Sequence, residues 1–181
     1  DADDTTVEYL DMISSEIRGA IQIIENLLSL THKEEPTMEE IPVTELVTLG
    51  LSRQVPPEGV NVTTEISSET LSLFADPSQI VHVLENLLSN AYQSMPDGGE
   101  LIIKVWEDGS RVCISVTDTG WGIPKENLKK IFEPLFTTKA RGFGFGLSIS
   151  RDLIGMNNGS IEVNSEEGVG SSFTLKLPGV S

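Results

Sequence analysis

Cations are scarce in this chain. Of 181 residues only 12 are Lys or Arg against 28 Asp or Glu, a formal net charge of −16. A surface of that sign argues against a nucleic-acid-binding role. It also repels polyanions, so a phosphate site here needs a metal or locally concentrated basic residues. Cysteine is nearly absent as well. The single Cys113 excludes an internal disulfide and a cysteine-based zinc site, and fits a reducing compartment. No apolar run reaches the roughly 18 residues that would span a bilayer, and no signal-peptide pattern is present. The expectation is a cytoplasmic chain, tied to a membrane only through parts outside it. The Walker phosphate loop is missing, and no Gly-x-Gly-x-x-Gly follows a strand.

What is present suits one folded core with an appendage. Thr5-Thr6-Val7-Glu8 reads as a capping box opening one long helix over about residues 5–33, with Asp3 and Asp4 near its positive end. Leu10, Ile13, Ile17, Ala20, Ile24 and Leu27 keep a spacing of three and four, and Ile21, Ile23, Leu28 and Leu30 widen the seam. A stripe that wide wants helices on two sides, so a partner helix is expected from elsewhere. Glu34 to Pro42 reads as an extended linker, and Thr44 as the cap of a short helix to about Gln54. Strands are expected at 60–66, 71–74, 101–105, 112–118, 161–163 and 173–177. Helices are expected from Asp76-Pro77-Ser78-Gln79 to about Met95, over 126–132, and from Leu147 to Asn157-Asn158-Gly159. Strands and helices are segregated in an α+β pattern around one sheet.

Three features carry chemistry. Asp118-Thr-Gly120-Trp-Gly122-Ile123-Pro ends a strand on a carboxylate and two glycines, which suits a ligand needing a fixed acceptor and close backbone approach; a plain strand-end turn has the same composition. His82, Asn86 and Asn90 fall at i, i+4 and i+8 on one helix face. Asparagine is a mediocre helix former, so the pair needs a reason: either solvated polar positions, or amide oxygens facing a ligand, one of them on Mg²⁺ already held by phosphates. Gly142-Phe143-Gly144-Phe145-Gly146 precedes a helix N-terminus, a ready anion site. Lys139 and Arg141 stand beside it, two of the twelve cations.

Together these blocks resemble the catalytic ATP-binding domain of sensor histidine kinases, the Bergerat fold shared with DNA gyrase, Hsp90 and MutL. Asn86-Leu-Leu-Ser-Asn90-Ala91 is similar to the N box, and Asp118-Thr-Gly120-Trp-Gly122-Ile-Pro to the G1 box. Ile131-Phe132-Glu-Pro-Leu-Phe136-Thr-Thr-Lys139 resembles the F box, and Gly142-Phe-Gly144-Phe-Gly146-Leu147-Ser-Ile the G2 box. The match covers roughly residues 42–178, and the Phe-Thr-Thr-Lys wording resembles the nitrogen-sensor branch. The resemblance implies a two-layer α/β sandwich, a mixed sheet covered by helices on one face, preceded by the long helix. It implies ATP and Mg²⁺ as ligands, with Asp118 accepting the adenine amino group, Gly120, Gly122 and Ile123 around the base, and Asn90 on Mg²⁺. Asn86 would be the catalytic position, contacting the phosphate side or its water. Lys139, Arg141 and the stretch Gly142, Gly144, Phe145, Gly146 and Leu147 would form the phosphate-binding lid. Phe143 and Phe145 depart from the small or aliphatic residues usual there, which implies a stiffer lid or one that packs on itself. Gyrase-type hydrolases carry glutamate where Asn86 stands; asparagine cannot act as that base, so transfer is favoured over hydrolysis.

Such kinases phosphorylate a histidine on a bundle helix. Neither histidine fits well: His82 lies inside the nucleotide domain, and His32 ends the long helix with only a faint echo of the motif. One alignment puts Ser15 in the histidine slot, giving a degenerate kinase. The preferred, gapless one matches residues 9–47 to the second helix of the dimerisation bundle and its linker. The expected organisation is therefore a partial bundle at 1–35, a linker at 36–43 and the catalytic domain at 44–181. The implied partners are a phosphoacceptor helix of the same or another protomer, a response-regulator receiver domain, and a second copy in a homodimeric parent. A nucleotide-binding module without an acceptor, or a gyrase-like ATPase, are the alternatives.

Overall fold

The structure is a computed structural model that describes residues 35–139 and 142–180, together with Thr6 and Tyr9. The long helix expected over 5–33, apart from those two residues, and with it His32, lies outside the described residues. So does Arg141.

Among the described residues seven strands and three helices follow in chain order: β1 (Glu39–Pro42), α1 (Val43–Arg53), β2 (Val60–Ile66), β3 (Ser72–Ala75), α2 (Pro77–Ser94), β4 (Gly99–Asp108), β5 (Arg111–Asp118), α3 (Gly146–Met156), β6 (Ser160–Glu166) and β7 (Gly170–Val180). The sheet runs β1-β3-β7-β5-β4-β2, with β6 also pairing β7. It is mixed: β2 and β4 are parallel, whereas β4–β5, β5–β7 and β6–β7 are antiparallel. The β4–β5 hairpin closes through Gly109-Ser110, because Asp108 pairs with Arg111; Gly109 has φ +64, as a tight two-residue turn requires.

Period-two alternation puts Leu101, Ile103 and Val105 of β4, Val112, Ile114 and Val116 of β5, and Phe173, Leu175 and Leu177 of β7 into one core. Against them the helices supply Leu46 and Val47 of α1, Ile80, Leu84, Leu87 and Leu88 of α2, and Ile154 of α3. This is the α+β architecture of a mixed sheet with helices packed on it.

Helix α2 is fixed at its start by Asp76. The carboxylate accepts from the N–H groups of Ser78 (2.9 Å) and Gln79 (3.2 Å), from the Ser78 hydroxyl (2.7 Å), and from the N–H of Thr37 (2.8 Å). Burial pushes its pKa up, but these hydrogen bonds outweigh burial and hold it below the ordinary value. At this same end of α2, the buried Asn157, which follows the last residue of α3, joins α3 to α2. Its Oδ1 accepts from the N–H of Asp76 (2.7 Å), and its Nδ2 donates to Gln79 Oε1 and Leu153 O (both 2.8 Å). Asn158 takes φ +58 and ends α3.

Several sequence expectations are corrected. Residues 125–132, expected to be helical from Glu126 to Phe132, form successive turns, with N–H of Asn127 bonding Pro124 O and N–H of Lys130 bonding Asn127 O. Thr44 does not cap α1. Pro42 occupies the cap position without a side-chain bond, and Thr44 lies inside the helix, its carbonyl accepting from Thr48 Oγ1. Glu39–Pro42, read as linker, pairs with β3 as an edge strand; main-chain pairing leaves little trace in so short and acidic a stretch.

Candidate functional site

Helix α2 and the end of β5 meet at Asp118. The residue is 5% exposed, and Oδ1 accepts from the N–H of Gly120 (2.9 Å) and the hydroxyl of Ser94 (3.0 Å). Burial raises the carboxyl pKa. The N–H of Gly120, the Ser94 hydroxyl, the N–H of Ser171 and the charge of Lys139 oppose the rise without cancelling it. A desolvated carboxylate of this kind seeks a hydrogen-bond donor.

The turn beyond it is stitched to both neighbours. Trp121 N–H donates to Ser94 O (3.2 Å), Gly168 N–H to Trp121 O (2.7 Å), and Ile123 N–H to Ser165 Oγ (2.8 Å). Space for the glycines is set by the chain itself. A Cβ on Gly120 would collide with Ser94 Oγ, and one on Gly122, at φ +69, would collide with the carbonyl of Glu166. Ser94 is a site residue that the sequence motifs do not include. The stripe His82, Asn86, Asn90 continues one more turn to reach it, so the same i+4 count points to it.

Along α2 the amides form a connected row. Asn86 Nδ2 donates to Ser150 Oγ of α3 (2.9 Å), and Asn90 Nδ2 reaches Asn86 Oδ1 at 3.4 Å, a long bond. The ammonium of Lys139 rests on Asn90 Oδ1 and Gln93 Oε1, both at 2.7 Å. Burial pulls the Lys139 pKa down to about 8, with Asp118 the opposing influence. The neighbouring Glu85 is not available as a base here; it pairs with Arg53 of α1 at 3.1 Å.

The glycine stretch lies close to the F-box segment. Leu135 has φ +68, and a Cβ on Gly144, itself at φ +71, would meet Leu135 C at 2.5 Å and Phe136 N at 2.6 Å. One on Gly142 would meet Thr137 Oγ1 at 2.6 Å, and one on Gly146 would strike Asn86 Oδ1. Phe145 occupies the N-cap of α3 with no side-chain cap, so first-turn N–H groups beside Leu147 keep their anion-binding capacity. The structure thus brings Asn86, Asn90, Asp118, Lys139 and Gly146 into one neighbourhood. Gly120, Gly122 and Ile123 shape the turn beside it, and Gly142 and Gly144 pack on residues 135–137.

This arrangement has counterparts. Residues 75–181, more than half of the chain, match the family described as histidine kinase-, DNA gyrase B-, and HSP90-like ATPase. The chain belongs to that ATPase family. Sporulation kinase E of Bacillus subtilis (strain 168) is 34% identical over 174 residues, covering 94% of this chain and 24% of that kinase. The chain therefore spans about a quarter of the length of this relative. The catalytic domain of histidine kinase ThkA, in a nucleotide-free form, superposes with a TM-score of 0.71 at 32% identity, over 78% of this chain and 95% of that one. Histidine kinase ThkA in complex with response regulator protein TrrA gives a TM-score of 0.78 at 27% identity, over 94% of this chain and 50% of that one. Strands β4 to β7 and the blocks around Asp118 fall within the matched residues, whereas β1, β2 and most of β3 precede them.

Proposed function

We propose that this domain binds ATP and donates its γ-phosphoryl group to a histidine on a separate helix, as the catalytic part of a cytoplasmic sensor histidine kinase. The observation that carries the proposal is one neighbourhood with two unlike ends. A buried carboxylate, Asp118, keeps acceptor capacity beyond the N–H groups of Gly120 and Ser171 and the Ser94 hydroxyl, and an ammonium, Lys139, sits on Asn90 near it. Adenine offers an amino donor and a triphosphate offers anionic oxygens, so the ligand matches both ends.

Mg²⁺ fits the donor set in a limited way. Among the described residues no group of three or more His, Cys, Asp or Glu could hold a metal, but Asn90 Oδ1 already accepts a cationic group. Mg²⁺ would be held there by one neutral oxygen together with phosphate oxygens, and would supply neutralisation of phosphate charge. Lys139, Arg141 and the first-turn N–H groups of α3 would hold the phosphates. Asn86 would orient the phosphate side without removing a proton, because a carboxamide is no base and Glu85 is engaged with Arg53. That favours transfer over hydrolysis. A phosphoacceptor helix, a receiver domain and a second protomer complete the proposed assembly.

Titration of the chain with a non-hydrolysable ATP analogue tests this. Binding is expected in wild type and abolished in Asp118→Asn, whose amide presents a donor where an acceptor is needed; equal affinity in the two proteins would sink the proposal. Adding labelled ATP and a separate acceptor-helix protein separates a kinase from a nucleotide-binding module: no labelled histidine favours the latter.

A further inference from the structure

The Lys139 ammonium is held by two amide oxygens, only one of which belongs to the residues already assigned. The other is Gln93 Oε1, at 2.7 Å. Gln93 lies three residues beyond Asn90 on α2, so both side chains leave the same helix face. Its amide is oriented from behind, since Nε2 donates to Ser89 Oγ at 3.1 Å. An ammonium has only donors, so the atoms facing it must be the oxygens of Asn90 and Gln93. That fixes both amides, and the row continues through Asn90 Nδ2 to Asn86 and through Asn86 Nδ2 to Ser150. Two of the three ammonium hydrogens are thereby engaged, and one remains.

Why glutamine matters follows from charge. A carboxylate there would form an ion pair with Lys139 and oppose its transfer to a phosphate. An apolar side chain would replace this fixed acceptor by water, since Gln93 is exposed and Lys139 half-buried, and would free the ammonium to move. A neutral oxygen holds the cation in place but competes poorly with an anionic phosphate oxygen. We infer that Gln93 is a positioning residue: it keeps Lys139 over Asn90 so that the cation is delivered to the triphosphate, and so it contributes to selecting nucleotides by their phosphates. The inference deepens the ATP-binding proposal and rests on it.

Two measurements on the 181-residue chain test it. In the first, affinities for AMPPNP with Mg²⁺ and for adenosine are measured in wild type, Gln93→Leu, Gln93→Glu, Lys139→Met and Gln93→Leu/Lys139→Met. Gln93→Leu is expected to weaken AMPPNP about fivefold and Gln93→Glu more than about tenfold. Adenosine binding is expected to stay within about twofold throughout. In the Lys139→Met background, Gln93→Leu is expected to have no further effect. An equal loss in that background, or a parallel loss of adenosine, overturns the inference, as does unchanged AMPPNP affinity in Gln93→Glu, which keeps the size of glutamine. The second measurement needs no nucleotide. Acetylation of Lys139, relative to the exposed Lys125, is followed by mass spectrometry and is expected to quicken severalfold in Gln93→Leu; an unchanged ratio overturns the inference. If wild type binds neither probe, the ATP proposal fails, while the acetylation ratio still judges the Gln93–Lys139 contact.

Discussion

The two ends of the candidate site, Asp118 and Lys139, are built by opposite means. At Asp118 the backbone does the holding: the turn is bonded to the last turn of α2 and to the β6–β7 connection, and glycines stand where any Cβ would collide. At Lys139 side chains do it, through the amide oxygens of Asn90 and Gln93. Backbone contacts are set once the fold forms, whereas a long side chain can exchange partners at small cost. The Asp118 end is therefore preorganised, and on the proposed ATP-binding reading the Lys139 end exchanges partners when a phosphate arrives.

This contrast can be broken by substitution. Gly122→Ala is expected to have the largest effect, a loss of about 3 kcal/mol or more, because it forces a methyl at φ +69 into the Glu166 carbonyl. Thermal unfolding checks this, and a fully stable variant would show the turn to be less constrained than the geometry says. Next is Asp76→Ala, expected to cost about 1–2 kcal/mol by removing the α2 cap. Because the Asp76 pKa is lowered in the fold, the wild-type advantage should be fully present above the unfolded carboxyl value near about 3.9 and disappear as pH falls through the lower folded value. Denaturant titrations of both proteins across that window measure it. Asn90→Ala is expected to remove mainly the Mg²⁺ dependence of ATP-analogue affinity, leaving Mg²⁺-free binding within about threefold; calorimetry with and without Mg²⁺ decides. The smallest change in stability is expected from Lys139→Met, under about 1 kcal/mol, since it removes a half-buried charge whose direct hydrogen bonds go to neutral oxygens. A large loss of stability there would erase the distinction between the ends.

Much of this site is legible in the order of the residues. Asp76-Pro77-Ser78-Gln79 announces a capped helix because an N-cap acid and a proline at N1 act locally. The strand into Asp118 follows from alternation over Val112, Ile114 and Val116. The turns at 125–132 imitate a helix because helical spacing persists over one or two turns whether or not i→i−4 bonds continue. Ser94 is reached by extending the i+4 count, but Gln93 is silent in the sequence because a polar residue on a helix has no special mark until its partner, distant along the chain, is known.

By itself, then, the sequence determined the local punctuation, the alternation of the core strands and the spacing of Asn86, Asn90, Asp118 and the glycine stretch. Each depends on neighbours a few residues away. Only the tertiary structure decided which groups meet. Burial of Asp118 against Ser94, the seat of Lys139 on Asn90 and Gln93, the engagement of Glu85 with Arg53 and the Asn157 link between α2 and α3 all join residues at least 24 positions apart. Hydrogen bonds and desolvation over such separations follow from how the sheet brings α2, β5 and α3 together, and no local pattern encodes them.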